Sequence, residues 1–201
     1  MLPLLKKSLK KIVKMKKRNK LLLIDCYGVI SSPVAVPWFL ETFGKEEGQK
    51  YSDYYCDLSD RGLYSATEIV HLIAETFHMD EHEILEEWFS GIIDKDFIDF
   101  ILEKKSEYVI CLASNASAGL VEETFRRNNV DLNVFDHLFI SCYMKKVKPE
   151  LNFFEHILSS LNEDFEEMYM VDDREKNLVN VSKLNITPIV YKGLDDLRKK
   201  L

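Results

Sequence analysis

Lys20-Leu21-Leu22-Leu23-Ile24-Asp25-Cys26-Tyr27-Gly28 is the stretch from which the rest of the chain is read. Four aliphatic residues in succession, with no polar alternation, suit a strand covered on both faces, and such strands belong to parallel sheets. The run stops at an acid. Four more short apolar runs resemble it, at 108–113, 138–141, 168–171 and 188–191. Helical patterns at 119–127, 151–161 and 175–184 lie between them. Strands alternating with helices imply a Rossmann-like three-layer α/β core, a parallel sheet with helices on both faces.

From about 32 to 105 the rhythm breaks, and no strand is predicted. Ile69, Leu72, Ile73 and Phe77 are spaced for an amphipathic helix, which Ser65 caps with Glu68 three residues on. Ile84, Leu85, Trp88 and Phe89 suggest a second helix. Phe97, Ile98, Ile101 and Leu102 suggest a third that begins near Asp94. The expected organisation is a basic extension over 1–19, an α/β core over 20–31 and 106–201, and a helical insertion over 32–105. Trp38, Phe39, Tyr51, Tyr54 and Tyr55 fall in the insertion, where they pack it or line a pocket.

The chain has 201 residues, 46% hydrophobic and 30% charged, enough for a sizeable core. Its net charge of −7 is unevenly placed. Nine of the 27 Lys and Arg precede Leu21, where there is no acid, and the remaining 18 face all 34 acids. So acidic a body excludes general nucleic-acid binding by the folded domain. The basic segment, with Leu2, Leu5, Leu9 and Ile12 at helical spacing, reads either as a solvated extension or as a membrane-surface or organelle-targeting helix. Deleting 1–17 is expected to leave turnover within a few-fold. No run is long enough to span a bilayer, and no secretory signal is evident. Cys26, Cys56, Cys111 and Cys142 form no C-x-x-C pair, which argues for a reducing, cytoplasmic compartment. His78 and His82, four apart, straddle what reads as a loop and suggest no metal site.

In open α/β sheets the chemistry lies beyond the carboxyl ends of the strands. Asp25 ends the first, Ser114-Asn115 the second and Asp172-Asp173 the fourth, with Asn177 following; Lys148-Pro149 lies in the loop after the third. A carboxylate can attack phosphorus or carbon and form a covalent ester. An ammonium and a cation can neutralise a phosphoryl group beside it. A serine hydroxyl can hold a phosphoryl oxygen. Two acids next to Asp25 would repel it unless a cation intervened, and hard oxygen ligands suit Mg²⁺.

Four such motifs in this order and spacing resemble the haloacid-dehalogenase-like superfamily, over about residues 20–192. The resemblance implies a sheet of order 3-2-1-4-5, which right-handed crossovers also favour, and a helical cap inserted after the first strand. Arg61-Gly62 followed by Ser65 resembles a cap segment of the branch that includes sugar-phosphate phosphatases and the phosphatase half of soluble epoxide hydrolases. It implies a Mg²⁺-dependent phosphatase acting on a phosphorylated small metabolite. Asp25 would be the nucleophile, with Tyr27, Ser114 and Lys148 in the catalytic set. Ser114, Asn115 and Lys148 would bind substrate. Asp25, the Tyr27 carbonyl and Asp173 would ligate the metal, with Asp172 in support. Phosphatases of the family usually carry a second acid where this chain has Tyr27, and Asp-x-Tyr-Gly is similar to the dehalogenases proper. Turnover of alkyl phosphates is therefore expected to be slow. A dehalogenase-like hydrolase attacking carbon, or a catalytically impaired binding module of this fold, are the alternatives.

Overall fold

In the computed structural model, which describes residues 18–201, the sheet has five parallel strands in the order β3-β2-β1-β4-β5. The strands are β1 Lys20–Ile24, β2 Tyr108–Ser114, β3 His137–Ile140, β4 Glu167–Asp172 and β5 Thr187–Val190. The helices are α1 Ala35–Phe43, α2 Lys45–Asp60, α3 Ala66–Phe77, α4 Glu81–Trp88, α5 Lys95–Lys104, α6 Leu120–Arg127, α7 Ser141–Met144, α8 Leu151–Leu161, α9 Glu175–Leu178 and α10 Leu194–Arg198. The basic segment over 1–17 lies outside the described residues, and with it the expectation about its helix. Arg18 and Asn19, grouped with it by composition, belong to the core. Arg18 donates to the Tyr108 carbonyl and pairs with Asp136 at 2.8 Å, and Asn19 accepts from Glu166 N.

β1 is central because its side chains are buried on both sides. Leu22 and Ile24 join one apolar layer with Phe97, Phe100, Ile101 and Phe125, and Leu21 and Leu23 join the other with Phe153, Phe154 and Ile157. The register pairs Ile24 with Leu112 on one flank and Val171 on the other, which brings Asp25, Ser114 and Asp172 to one sheet edge.

The insertion divides. Residues from α1 to α4 form a separate apolar cluster around Phe39, Tyr55, Ile69, Ile73 and Trp88. α5 instead packs Phe97, Phe100 and Ile101 onto the sheet. The boundary drawn at 105 is therefore corrected: the separate helical unit ends near Trp88, because the apolar stripe of α5 matches the layer over β1 and β2. The two connecting segments pair with each other, Ser32 N to the Ile92 carbonyl at 2.9 Å and Asp94 N to the Ile30 carbonyl at 2.9 Å. The Ser65–Glu68 capping box forms as expected, and Asp94 caps α5. α1 and α2 were not separately predicted. Pro37 is accommodated in the first turn of α1, and Gly44, at φ 76°, separates the two helices. The helix expected over 175–184 breaks into α9 and a 3-10 turn, Val181–Leu184. Asn177 and Asn180 spend their side chains on Asp172 and the Pro149 carbonyl, and the break falls at the turn through Val179 and Asn180. Phe100→Ala should cost about 3–5 kcal/mol, as large cavities in packed layers do, and urea unfolding would measure it. A cost near zero would show that α5 is not part of the sheet's core.

Candidate active site

Asp25 leaves the sheet at the carboxyl end of β1, its own N–H bonded to the Val171 carbonyl at 2.9 Å. Its Oδ1 accepts from Ser114 Oγ at 2.8 Å and Cys26 N at 2.7 Å, and Lys148 Nζ lies 3.0 Å away. All three converge on Oδ1, and Oδ2 takes none of them. The carboxylate is thus clamped by one oxygen while the other remains for chemistry. Burial raises the Asp25 carboxyl, to about 7, against the pull of Lys148 and with Asp172 adding to the rise. Ser114 is therefore a positioning partner of Asp25 in this state of the site. The Cys26 side chain is fully buried away from the site, as expected of its alternation.

Lys148 Nζ reaches Asp172 Oδ2 at 2.6 Å, and both side chains are buried. Burial alone would lower the ammonium's pKa; the two carboxylates outweigh it and hold it above its ordinary value. The loop carrying Lys148 is fixed by Asn115, whose Oδ1 accepts from Lys148 N at 2.8 Å and whose Nδ2 donates to the Lys148 carbonyl at 3.1 Å. Asn115, expected to bind substrate, has its amide committed to Lys148. Asp172 takes Asn177 Nδ2 on both oxygens and Arg174 N on Oδ1, so its bonding is committed to Lys148, the Asn177 side chain and the backbone.

Asp25, Asp172 and Asp173 each offer an oxygen within 4.8 Å of one another. Asp173 is the exposed member, and partial burial and then Asp172 raise its carboxyl. Three carboxylates offset by one buried ammonium favour a hard divalent cation, so the residues fit Mg²⁺. Gly28, at φ 88°, makes the approach feasible: a Cβ there would stand 2.4 Å from Asp173 Oδ2. Gly28→Ala should therefore displace Asp173 and weaken Mg²⁺ binding, measured calorimetrically. Unchanged affinity would show that Asp173 does not hold the ion.

The Tyr27 phenol lies elsewhere than its place in the expected catalytic set implied. Its hydroxyl bonds Thr124 Oγ1 of α6 at 2.9 Å, its ring packs against the apolar layer, and burial holds it protonated well above the ordinary phenol value. Sequence reasoning missed Thr124, 97 residues away, because nothing near Tyr27 signals it. A cavity of about 510 Å³ opens over these groups, walled by Asp25, Lys148 and Asp173 on the core and by Asp60, Arg61 and Trp88 on the helical unit.

No family model matches the chain. A stretch of 71 residues is 27% identical to drimenol cyclase drtB of Aspergillus calidoustus, and the match covers 35% of this chain and 13% of that protein. A HAD family enzyme of Bacteroides thetaiotaomicron, solved in complex with magnesium and inorganic phosphate, is similar in structure, with a TM-score of 0.72 at 24% identity over 86% of this chain and 94% of that one. L-2-haloacid dehalogenase from Xanthobacter autotrophicus, with chloropropionic acid covalently bound, has a TM-score of 0.59 at 10% identity over 85% and 76%. The chain has the fold of the haloacid-dehalogenase-like superfamily. Among the described residues no helix is long and apolar enough to cross a membrane, and the four cysteines are free.

Proposed function

We propose that this chain is a Mg²⁺-dependent hydrolase that cleaves a phosphate monoester of a small metabolite through an aspartyl-phosphate at Asp25. The observation that carries the reading is the clamped Asp25 carboxylate, one oxygen held by Ser114, Cys26 N and Lys148 and the other unpartnered, within 4.8 Å of oxygens of Asp172 and Asp173. That arrangement suits attack on a phosphoryl group whose negative charge must be offset.

Bound Mg²⁺, held by Asp25, Asp173 and the Tyr27 carbonyl, would supply positive charge beside the phosphoryl oxygens. The Asp25 carboxylate attacks phosphorus in line with the leaving oxygen. Lys148, fixed by Asp172 and Asn115, holds its charge beside that centre without moving, and Ser114 keeps the nucleophile oriented. α1 to α4 cover the site, exclude water and select the esterified group. The similarity to an enzyme solved with magnesium and inorganic phosphate supports the same reading. A second reading, displacement at carbon, draws on Tyr27 and on the likeness to a dehalogenase.

A panel of phosphorylated metabolites and 2-chloropropionate, each with Mg²⁺ and with EDTA, tests the two together. Phosphate release that requires Mg²⁺ is expected. Halide release indifferent to EDTA would replace the first reading with the second. Asp173→Asn should weaken Mg²⁺ binding by at least the roughly 10–100-fold that outer-shell changes cost, and calorimetric affinity equal to wild type would remove the metal site.

A further inference from the structure

With the Tyr27 hydroxyl bonded to Thr124, the loop after β1 offers no acid for a leaving alkoxide and no base for water. Besides Asp25 and Asp173, four carboxylates line the cavity. Asp57 and Glu150 both hold Arg61, at 2.8 and 2.9 Å. Asp53 is exposed and accepts from Gln49. Asp60 alone among these, within the described residues, has neither a hydrogen bond nor an ion pair, yet it is partly buried on the cavity wall.

Its position is fixed from both sides. Arg61 ties α2 to Glu150 of the core. Gly62, at φ 72°, lies so close to the core that a Cβ would stand 2.2 Å from the Cys142 carbonyl. Ala66 N then bonds the Ala118 carbonyl at 2.9 Å. The end of α2 is therefore docked on the core with Asp60 turned into the cavity, and the electrostatic influence of Asp25 and Lys148 extends to it.

We propose that Asp60 is the general acid and base of the reaction, acting from the helical unit in place of the strand-end acid that Tyr27 replaces. The proposal rests on the phosphatase reading above. In the first step an Asp25 oxygen bonds to phosphorus, the bond from phosphorus to the leaving oxygen breaks, and Asp60 gives its proton to the departing alkoxide. In the second, water gives a proton to the Asp60 carboxylate and attacks phosphorus. The bond from phosphorus to Asp25 breaks, and inorganic phosphate leaves with Asp60 protonated again. Burial raises the Asp60 carboxyl, to about 7; Lys148 and Arg174 pull it down, and Asp25 and Asp57 push it up. A group balanced there can both donate and accept near neutrality. With Asp60 in this role, the slow alkyl-ester turnover expected from Tyr27 does not follow.

The test uses the full chain with Mg²⁺ and two esters of similar shape, benzyl phosphate, whose alkoxide needs a proton, and 4-nitrophenyl phosphate, whose phenolate does not. Asp60→Asn should lower kcat/KM on benzyl phosphate by about 10²–10⁴-fold and on 4-nitrophenyl phosphate only a few-fold. Rapid mixing should show a burst of nitrophenolate stoichiometric with enzyme and then slow release, since water is no longer activated; the burst also counts folded sites. Wild-type kcat/KM on the benzyl ester should fall as pH rises past about 7, and the variant should lose that limb. Asp60→Glu should restore part of the benzyl activity. An unchanged ratio between the two esters, or equal losses with no burst, overturns the proposal and leaves the phosphatase reading intact. Wild type that cleaves neither ester, nor any in the metabolite panel, overturns both.

Discussion

Asp25→Asn should lose about 10⁴-fold or more of its turnover, the scale on which removal of a nucleophile acts. The amide keeps the shape of the carboxylate, so Ser114 and Cys26 N retain a partner at its carbonyl oxygen. What disappears is the charge and the nucleophilic oxygen. The change should leave the fold in place, and the thermal midpoint separates loss of chemistry from loss of structure. Mass spectrometry of acid-quenched wild type should find a phosphoryl group on the peptide containing Asp25, and none in the variant. Turnover within a few-fold of wild type, or an adduct on another residue, would falsify the assignment of Asp25. A hydrolase working at carbon would show an alkyl ester on the same peptide instead.

Lys148→Met is the second large effect, and it acts on stability as well as on chemistry. The ammonium lies between Asp25 at 3.0 Å and Asp172 at 2.6 Å, with almost no solvent contact. Removing it leaves two buried carboxylates facing each other, which costs about 3–5 kcal/mol. For a chain of this size that is a fall of roughly 6–20 °C in Tm. The sign of the pH dependence follows from burial. A carboxyl whose folded pKa stands above its unfolded value costs stability at neutral pH. The cost fades as pH falls through the folded pKa, because the native state then binds the proton that the unfolded chain does not yet hold. The variant's deficit should therefore shrink on acidification towards pH ~5. Adding Asp172→Asn to Lys148→Met should recover stability without recovering turnover. A single variant as stable as wild type at neutral pH would show that the three charges do not form one coupled unit.

Much of this architecture is written in runs of adjacent residues. The apolar stretches that became β1 to β5 each stop at or beside a polar strand-end residue, and a strand buried on both faces must be apolar along its length, so its end is visible locally. Asp25, Ser114 and Asp172-Asp173 were legible for that reason. The capping box of α3 and the apolar spacings of α3, α4 and α5 are also local. The strand order was implied by the family resemblance of the motifs, and right-handed crossovers agree with it.

The partners of those strand-end groups were not legible. Asn115 clamps Lys148 across 33 residues, Ser114 holds Asp25 across 89 and Thr124 takes the Tyr27 hydroxyl across 97. Each bond depends on where the chain path brings two loops together, and no pattern of neighbours encodes it. Asp60 belongs to the same class. Its sequence neighbours Arg61 and Gly62 are noticeable, but Asp60 looks like any acid at a helix end until Arg61 and Gly62 are seen docked on Glu150 and Cys142. The division of the helical insertion is of this kind too, since α3, α4 and α5 carry similar apolar stripes and only the facing surface decides which layer each one covers. By itself the sequence determined the α/β core, the strand ends and the charged groups they present, because these follow from short-range periodicity and burial. Tertiary structure alone decided which oxygen of Asp25 is held, where Tyr27 points and which acid faces the cavity, because hydrogen bonds and desolvation act between atoms the fold brings together, however far apart they lie in the chain.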